Sequence, residues 1–220
     1  MGAHRILLVD DHPMMRLGVG QLLSAQPDLE VAGEAGSAAE AFGLVQGDAG
    51  RFDLAIIDLT LPDRSGIELV KDLVAFAPRL RLLVMSMHDE SLYAERVLKA
   101  GAHGYIMKEE AAAKLVRAVR QVIDGGIFVS DRMSTKMVAA MTGHGGGGGE
   151  SAISRLTDRE LEVFQLTGSG KGSREIAAIL SVSVRTIDAH RAHLKQKLDL
   201  PDGPSLVREA VRWVESQNPR

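Results

Sequence analysis

The chain has 220 residues, 45% apolar and 25% charged, with a formal net charge of −3. That is room for one large domain or two modest ones, with the composition of a soluble globular protein. The absence of cysteine excludes a disulfide framework and thiolate metal sites. Met1 to Arg5 leads straight into an apolar run, leaving no room for a signal peptide, and no stretch approaches bilayer-spanning length. The expectation is a cytoplasmic protein with no membrane partner.

Short apolar runs alternate with helical patterns along the first 125 residues. Strands are predicted near 5–9, 29–34, 53–57, 81–86 and 103–107, and helices near 13–26, 37–47, 66–77, 90–100 and 110–124. Such strand–helix repeats with short connections predict a five-stranded parallel sheet between helices. Asp10 and Asp11 end the first apolar run, and Asp58 ends the third. Side chains just past the carboxyl ends of parallel strands meet in a ligand-binding crevice. Three carboxylates there repel one another unless a hard cation shares them, so the cluster reads as a Mg²⁺ site. Lys108, ending the fifth run, adds a fixed cation, and the set matches the needs of phosphoryl chemistry.

Gly143 to Gly149, interrupted only by His144, marks a flexible linker, because glycine loses the most backbone entropy on ordering. The domain boundaries read as 1–126, a linker over 127–152, and 153–220. Four helices are expected after the linker. Thr157-Asp-Arg-Glu160 is a capping box opening the first. Ser173 caps the second, Ser181-Val-Ser183 is a tight connection, and Ser183 caps a third running to about Leu198. Pro201 and Pro204 precede a fourth helix over 205–217. Two helices so closely joined, the second longer and more basic, form a helix-turn-helix. Between 173 and 198, Arg174, Arg185, Arg191, Lys195 and Lys197 outweigh Glu175 and Asp188, a local basic stripe.

The stretches Ile6-Leu-Leu-Val-Asp-Asp-His-Pro13, Ile57-Asp-Leu-Thr-Leu-Pro-Asp-Arg-Ser-Gly66, Val84-Met-Ser-Met-His-Asp89 and Gly101-Ala-His-Gly-Tyr-Ile-Met-Lys108 carry a further inference. So do Leu156-Thr-Asp-Arg-Glu-Leu-Glu-Val163, Glu175-Ile-Ala-Ala-Ile-Leu180 and Ser183-Val-Arg-Thr-Ile-Asp-Ala-His190. In this order and spacing they resemble a two-component response regulator of the NarL/FixJ family. The resemblance implies a flavodoxin-like α/β receiver domain followed by a small all-α LuxR-type DNA-binding domain.

It further implies that Asp58 is the phosphoacceptor, charged by a sensor histidine kinase or phosphotransfer protein. Asp11, Asp58 and the Thr60 carbonyl would hold Mg²⁺, with Asp10 acting through water and Lys108 touching a phosphoryl oxygen. Ser86 and Tyr105 look like the switch pair, while Thr60 and His88 occupy positions that tune phosphoryl lifetime. The product would reset itself by hydrolysis, so no turnover enzyme is expected beyond that autodephosphorylation.

In the second domain, Arg185, Thr186, Asp188, Ala189, Arg191, Ala192 and Lys195 are candidates to face double-stranded DNA. Arg174, Arg191, Lys195 and Lys197 are candidate phosphate contacts. Asp188 departs from the family's common basic residue there, and a carboxylate could accept from a cytosine amino group. Part of helix 205–217 is expected to form a homodimer face in the phosphorylated state. The floppy glycine tether suggests control by docking and release of the receiver, or by dimerisation.

Weighed against this are a Mg²⁺-dependent aspartyl phosphatase or phosphotransferase, and a phosphorylation-gated protein-interaction adaptor. Aspartyl phosphotransferases of the dehalogenase type carry two acids two residues apart after the first strand, whereas here they are adjacent. His12, His88 and His103 do not share a face, so no zinc site is expected, and His12 reads as a loop residue. Met14, Met15, Met85 and Met107 read as core filler.

Overall fold

The computed structural model describes residues 2–141, 152–180 and 182–217. The glycine run and Ser181 lie outside them. The chain divides into two compact units, Met1–His144 and Gly145–Arg220.

In the first unit the strands are β1 (His4–Val9), β2 (Leu29–Ala35), β3 (Leu54–Ile57), β4 (Arg81–Ser86) and β5 (Gly104–Met107). They form one parallel sheet in the order β2-β1-β3-β4-β5. Helices α1 (Pro13–Ser24), α2 (Ala38–Gly47), α3 (Gly66–Phe76), α4 (Glu90–Lys99) and α5 (Ala111–Ile123) connect or follow them. Covering both faces of the sheet is why β1 and β3 are apolar without alternation, with Ile6–Val9 and Leu54–Ile57 at most 2% exposed. Local signals set the helix starts: Ser37 caps α2, Ser65 caps α3 and Asp89 caps α4 through side-chain bonds to backbone N–H groups.

The sequence reading begins a linker at residue 127, but the chain is built onto the first unit through Met141. Phe128 extends the sheet edge, its N–H donating to His103 O (3.0 Å) and its carbonyl accepting from Tyr105 N (2.8 Å). Helix α6 (Asp131–Met141) follows and packs on α4, with Met133 only 3% exposed. Ser130 opens α6 by accepting from Met133 N at 3.1 Å. The Glu90 carboxylate of α4 in turn takes the Ser130 N–H at 2.7 Å and the Ser130 hydroxyl. A carboxylate at a helix N-terminus is favoured by the helix dipole and by the orphan N–H groups. The readable signal was Ser130 followed by Met133, Met137 and Met141 at helical spacing. We expect Glu90→Ala to cost α6 about 1 kcal/mol of local stability. Hydrogen exchange should show faster exchange over 131–141 with β1–β3 unchanged; equal protection in both proteins would refute the clamp.

The second unit holds α7 (Asp158–Gly168), α8 (Ser173–Ile179), α9 (Val184–Lys197) and α10 (Gly203–Gln217). Its core includes Leu161, Phe164, Ile176, Ile187, Leu194, Leu206 and Ala210. Both halves of the Thr157–Glu160 capping box form, and Ser183 caps α9. The cap of α8 differs from expectation. Gly172 stands there, its N–H donating to Glu175 Oε2 at 2.9 Å, and Ser173 is the first helical residue. The stripe of α10 is largely core: Leu206 and Ala210 are buried against α7, while Val207 remains 37% exposed. Gly168 permits that contact, since an added Cβ would lie 2.3 Å from Ala210 O.

Of the methionines read as core filler, Met85 is buried and Met15 packs against the core, but Met14 is 78% exposed. It sits in the first turn of α1, where the apolar face points elsewhere, toward Val19 and Leu23.

Candidate functional site

Strand register brings the acids together. Val9 pairs with Ile57, and Asp58 N donates to Val9 O at 2.8 Å, so Asp10 and Asp58 emerge side by side at the carboxyl ends of β1 and β3. Ser86 pairs with Met107, which sets Lys108 one step past the ends of β4 and β5. This is the edge of the sheet where the strand order reverses, the usual crevice of such folds. Lys108 Nζ lies 2.7 Å from Asp58 Oδ2 and 2.7 Å from Asp10 Oδ2, with all three side chains at most 4% exposed.

Burial pushes the Asp58 carboxyl up, against the pull of Lys108 and of the Thr60 N–H, which reaches Asp58 Oδ1 at 3.3 Å. Burial would lower the Lys108 ammonium, but Asp10 and Asp58 outweigh it and raise it. Asp11 is a third exposed and completes the cluster. Two buried oxygens, Asp10 Oδ2 and Asp11 Oδ1, have no aligned hydrogen bond, although Lys108 and the His12 imidazole each approach within 2.7 Å. Three carboxylates gathered this closely, two of them with an oxygen lacking a hydrogen bond, suit a hard divalent cation.

His12, read as a loop residue, stands in the loop just before α1 and also joins this group, its Nδ1 2.7 Å from Asp11 Oδ1 and 3.2 Å from Asp10 Oδ1. The loop after Asp58 is held from outside, as Asp63 accepts from Ala38 N (2.9 Å) and Ala39 N (2.8 Å). It is held from inside by Gly66 N donating to Leu59 O at 2.8 Å.

The second candidate surface is α9. Ile187 and Leu194 are fully buried, which fixes the rotation that the sequence left open. At 100° per residue the outward line is Arg185, Ala189, Ala192 and Gln196, flanked by Asp188 and His193, all exposed. Thr186, Arg191 and Lys195 are half-buried at the sides, and Arg174 on α8 is exposed. Gln196 escaped the sequence reading; its spacing from Arg185 and Ala189 was the signal. Lys197, read as a candidate phosphate contact, has its ammonium 2.7 Å from the buried Glu160 carboxylate.

Residues 6–120 match the response regulator receiver domain, and residues 154–210 match bacterial regulatory proteins of the luxR family. The oxygen regulatory protein NreC of Staphylococcus carnosus is 35% identical over 212 residues, spanning 94% of this chain and 97% of that protein. The transcriptional activator protein ExaE of Pseudomonas putida is 37% identical over 206 residues, spanning 94% and 95% respectively. This chain belongs to the response regulators. A structure of RcsB from Salmonella enterica serovar Typhimurium, bound to a promoter in the presence of phosphomimetic BeF3-, shares the fold. That likeness has a TM-score of 0.67 at 23% identity, over 96% of this chain and 100% of the other. The response regulator is thus a transcription regulator with receiver and LuxR-type domains, not a classical phosphatase. Among the described residues, no helix is long and apolar enough to cross a membrane.

Beside the acidic crevice, the response regulator carries a connected set of polar groups at the end of β4. Ser86 is fully buried and its hydroxyl accepts from His88 N at 3.1 Å. Tyr105 is also fully buried, and its hydroxyl donates to the His88 carbonyl at 2.6 Å. Burial pushes the Tyr105 phenol up. The His88 ring stacks on Tyr93 with centroids 4.9 Å apart and approaches Thr60 Oγ1 at 3.2 Å. Burial, aided by the Lys108 charge, pulls the imidazole down to about 4, so it is neutral at physiological pH. Thr60 and His88, from two different loops, therefore meet beside Asp58.

Proposed function

We propose that this response regulator takes a phosphoryl group onto Asp58 from a phosphohistidine of a sensor histidine kinase or phosphotransfer protein. The change alters how its LuxR-type domain binds double-stranded DNA. The convergence of Asp10, Asp11, Asp58 and Lys108 at one sheet edge carries this reading. A carboxylate oxygen of Asp58 attacks phosphorus, the phosphorus–nitrogen bond breaks, and its electron pair leaves on the imidazole. Lys108, now shared between two carboxylates, turns to a phosphoryl oxygen as charge builds there. Asp11, Asp58 and the Thr60 carbonyl would hold Mg²⁺ in this reading, and Asp10 would act through water. When bound, the ion neutralises carboxylate and phosphoryl charge together.

In the same reading, Ser86 gives up the His88 N–H and donates to the phosphoryl group. Tyr105 then stabilises one of two packings of the α4–β5 face. The Thr60–His88 contact covers one side of the acceptor and limits hydrolysis by water, tuning autodephosphorylation. Helix α9 enters the major groove with Arg185, Ala189, Ala192 and Gln196 toward base edges. Arg174, Arg191 and Lys195 meet phosphates, and phosphorylated copies pair to match two half-sites. The receiver assignment to 1–126, its α6 extension and a cytoplasmic setting belong to the same reading.

Incubation with acetyl phosphate and Mg²⁺, followed by intact-mass measurement, tests it. The wild type should gain one phosphoryl group and Asp58→Asn none, with DNA affinity changing only in the labelled protein. Equal labelling of Asp58→Asn would remove Asp58 from its role.

A further inference from the structure

We propose that Ser173 is a positioning residue for α9, holding Asp188 off the bases and Arg191 ready for a backbone phosphate. Asp188 would then serve geometry and not base readout. This rests on the DNA-binding reading given above.

Ser173 begins α8, the first helix of the helix-turn-helix. Its hydroxyl donates to Asp188 Oδ1 at 3.0 Å and accepts from Arg191 Nη1 at 3.1 Å. A hydroxyl has one donor and two acceptor sites, so it can tie an anion and a cation at once without frustrating either. Asp188 and Arg191 lie three apart on α9, which puts them on neighbouring turns of one side. That side is the flank facing α8, between the buried line of Ile187 and Leu194 and the outward line of Arg185, Ala189 and Ala192.

A free carboxylate on a helix lying in the major groove would repel phosphates, or else accept from a cytosine amino group. Drawn toward Ser173, it is committed to a protein partner. Arg191 has five donors in a rigid fork, and only one of its nitrogens is used by Ser173. That bond restrains the side chain and leaves its other donors for a phosphate at the edge of α9. Preorganisation of that kind strengthens a phosphate contact for every DNA sequence alike. It also accounts for why α9 tolerates an acid beside its reading face.

The experiment uses the full-length protein and a random duplex pool. Consensus sites are selected for the wild type, Ser173→Ala, Ser173→Thr, Asp188→Asn, Asp188→Ala and the Ser173→Ala/Asp188→Ala pair. Affinity for the enriched duplex is then measured against salt. Ser173→Ala should weaken binding about 3- to 10-fold and reduce the salt slope by about one. Ser173→Thr, which keeps the hydroxyl, should restore both. The paired substitution should be no weaker than its weaker single, as expected of residues acting as one unit.

A consensus altered at one base position by Asp188→Asn would overturn the proposal in favour of direct readout. Strictly additive losses would overturn it in favour of Ser173 touching phosphate by itself. An unchanged salt slope in Ser173→Ala would also overturn it. A wild-type protein that enriches no duplex would instead overturn the DNA-binding reading beneath it.

Discussion

Replacing Lys108 with methionine is expected to destabilise the metal-free receiver by about 3–5 kcal/mol at neutral pH, because it strands two buried carboxylates. Lys108 bridges Asp10 and Asp58, each side chain at most 4% exposed, and among the described residues no second lysine or arginine side chain is paired to either. The loss should depend on pH in a direction fixed by Asp58. Burial holds its folded-state carboxyl above the usual 3.8. The stability linked to that proton is present in full below the unfolded value and is lost as pH rises through the folded one. Lys108 is the largest influence opposing the shift, so removing it moves the folded value further up and widens the window of loss.

Urea unfolding of Lys108→Met should accordingly show a smaller deficit at mildly acidic pH than at neutral pH, and a smaller deficit with Mg²⁺ than without. A deficit identical under all of these conditions would mean that only packing was lost. The same variant should label poorly with acetyl phosphate even where it is fully folded, since the phosphoryl oxygen loses its cation.

Gly66→Ala is the second change with a large expected effect, of about 3 kcal/mol. The added Cβ would stand 2.2 Å from the Asp58 carbonyl oxygen and 2.8 Å from Leu59 Cα. Both are backbone atoms at the end of a fully buried strand, so neither can swing aside. The start of α3 must retreat or Asp58 must move, and both harm the site. Gly18 and Gly43, within α1 and α2, have nothing within 4 Å of a built Cβ. Alanine at either should stabilise by about 0.5–1 kcal/mol through helix propensity. Thermal unfolding of the three variants checks the contrast, and a Gly66→Ala protein as stable as Gly18→Ala would contradict it.

Reading apolar runs and the acids that end them was enough to place Asp10, Asp11, Asp58 and Lys108 at one sheet edge. Parallel strands buried on both faces leave no doubt about which residues are interior, and their ends must align. The Thr157 capping box and the Ser183 cap were equally legible, since each is settled within four residues. Ser173 shows the limit of that logic. As a small hydroxyl before a helical run it looked like a cap, yet Gly172 fills that role, and Ser173 is drawn to Asp188 and Arg191 across the motif.

Composition, periodicity and caps thus determined the class of each domain, the acid–lysine cluster and the helix-turn-helix, because such features are written over short spans of chain. Tertiary packing alone decided the rotation of α9, the pairing of Lys197 with Glu160, the entry of His12 into the acidic group and the attachment of α6 to α4. Most of these depend on side chains brought together from distant parts of the chain. Their energies arise from burial and mutual desolvation, which no local stretch of sequence contains.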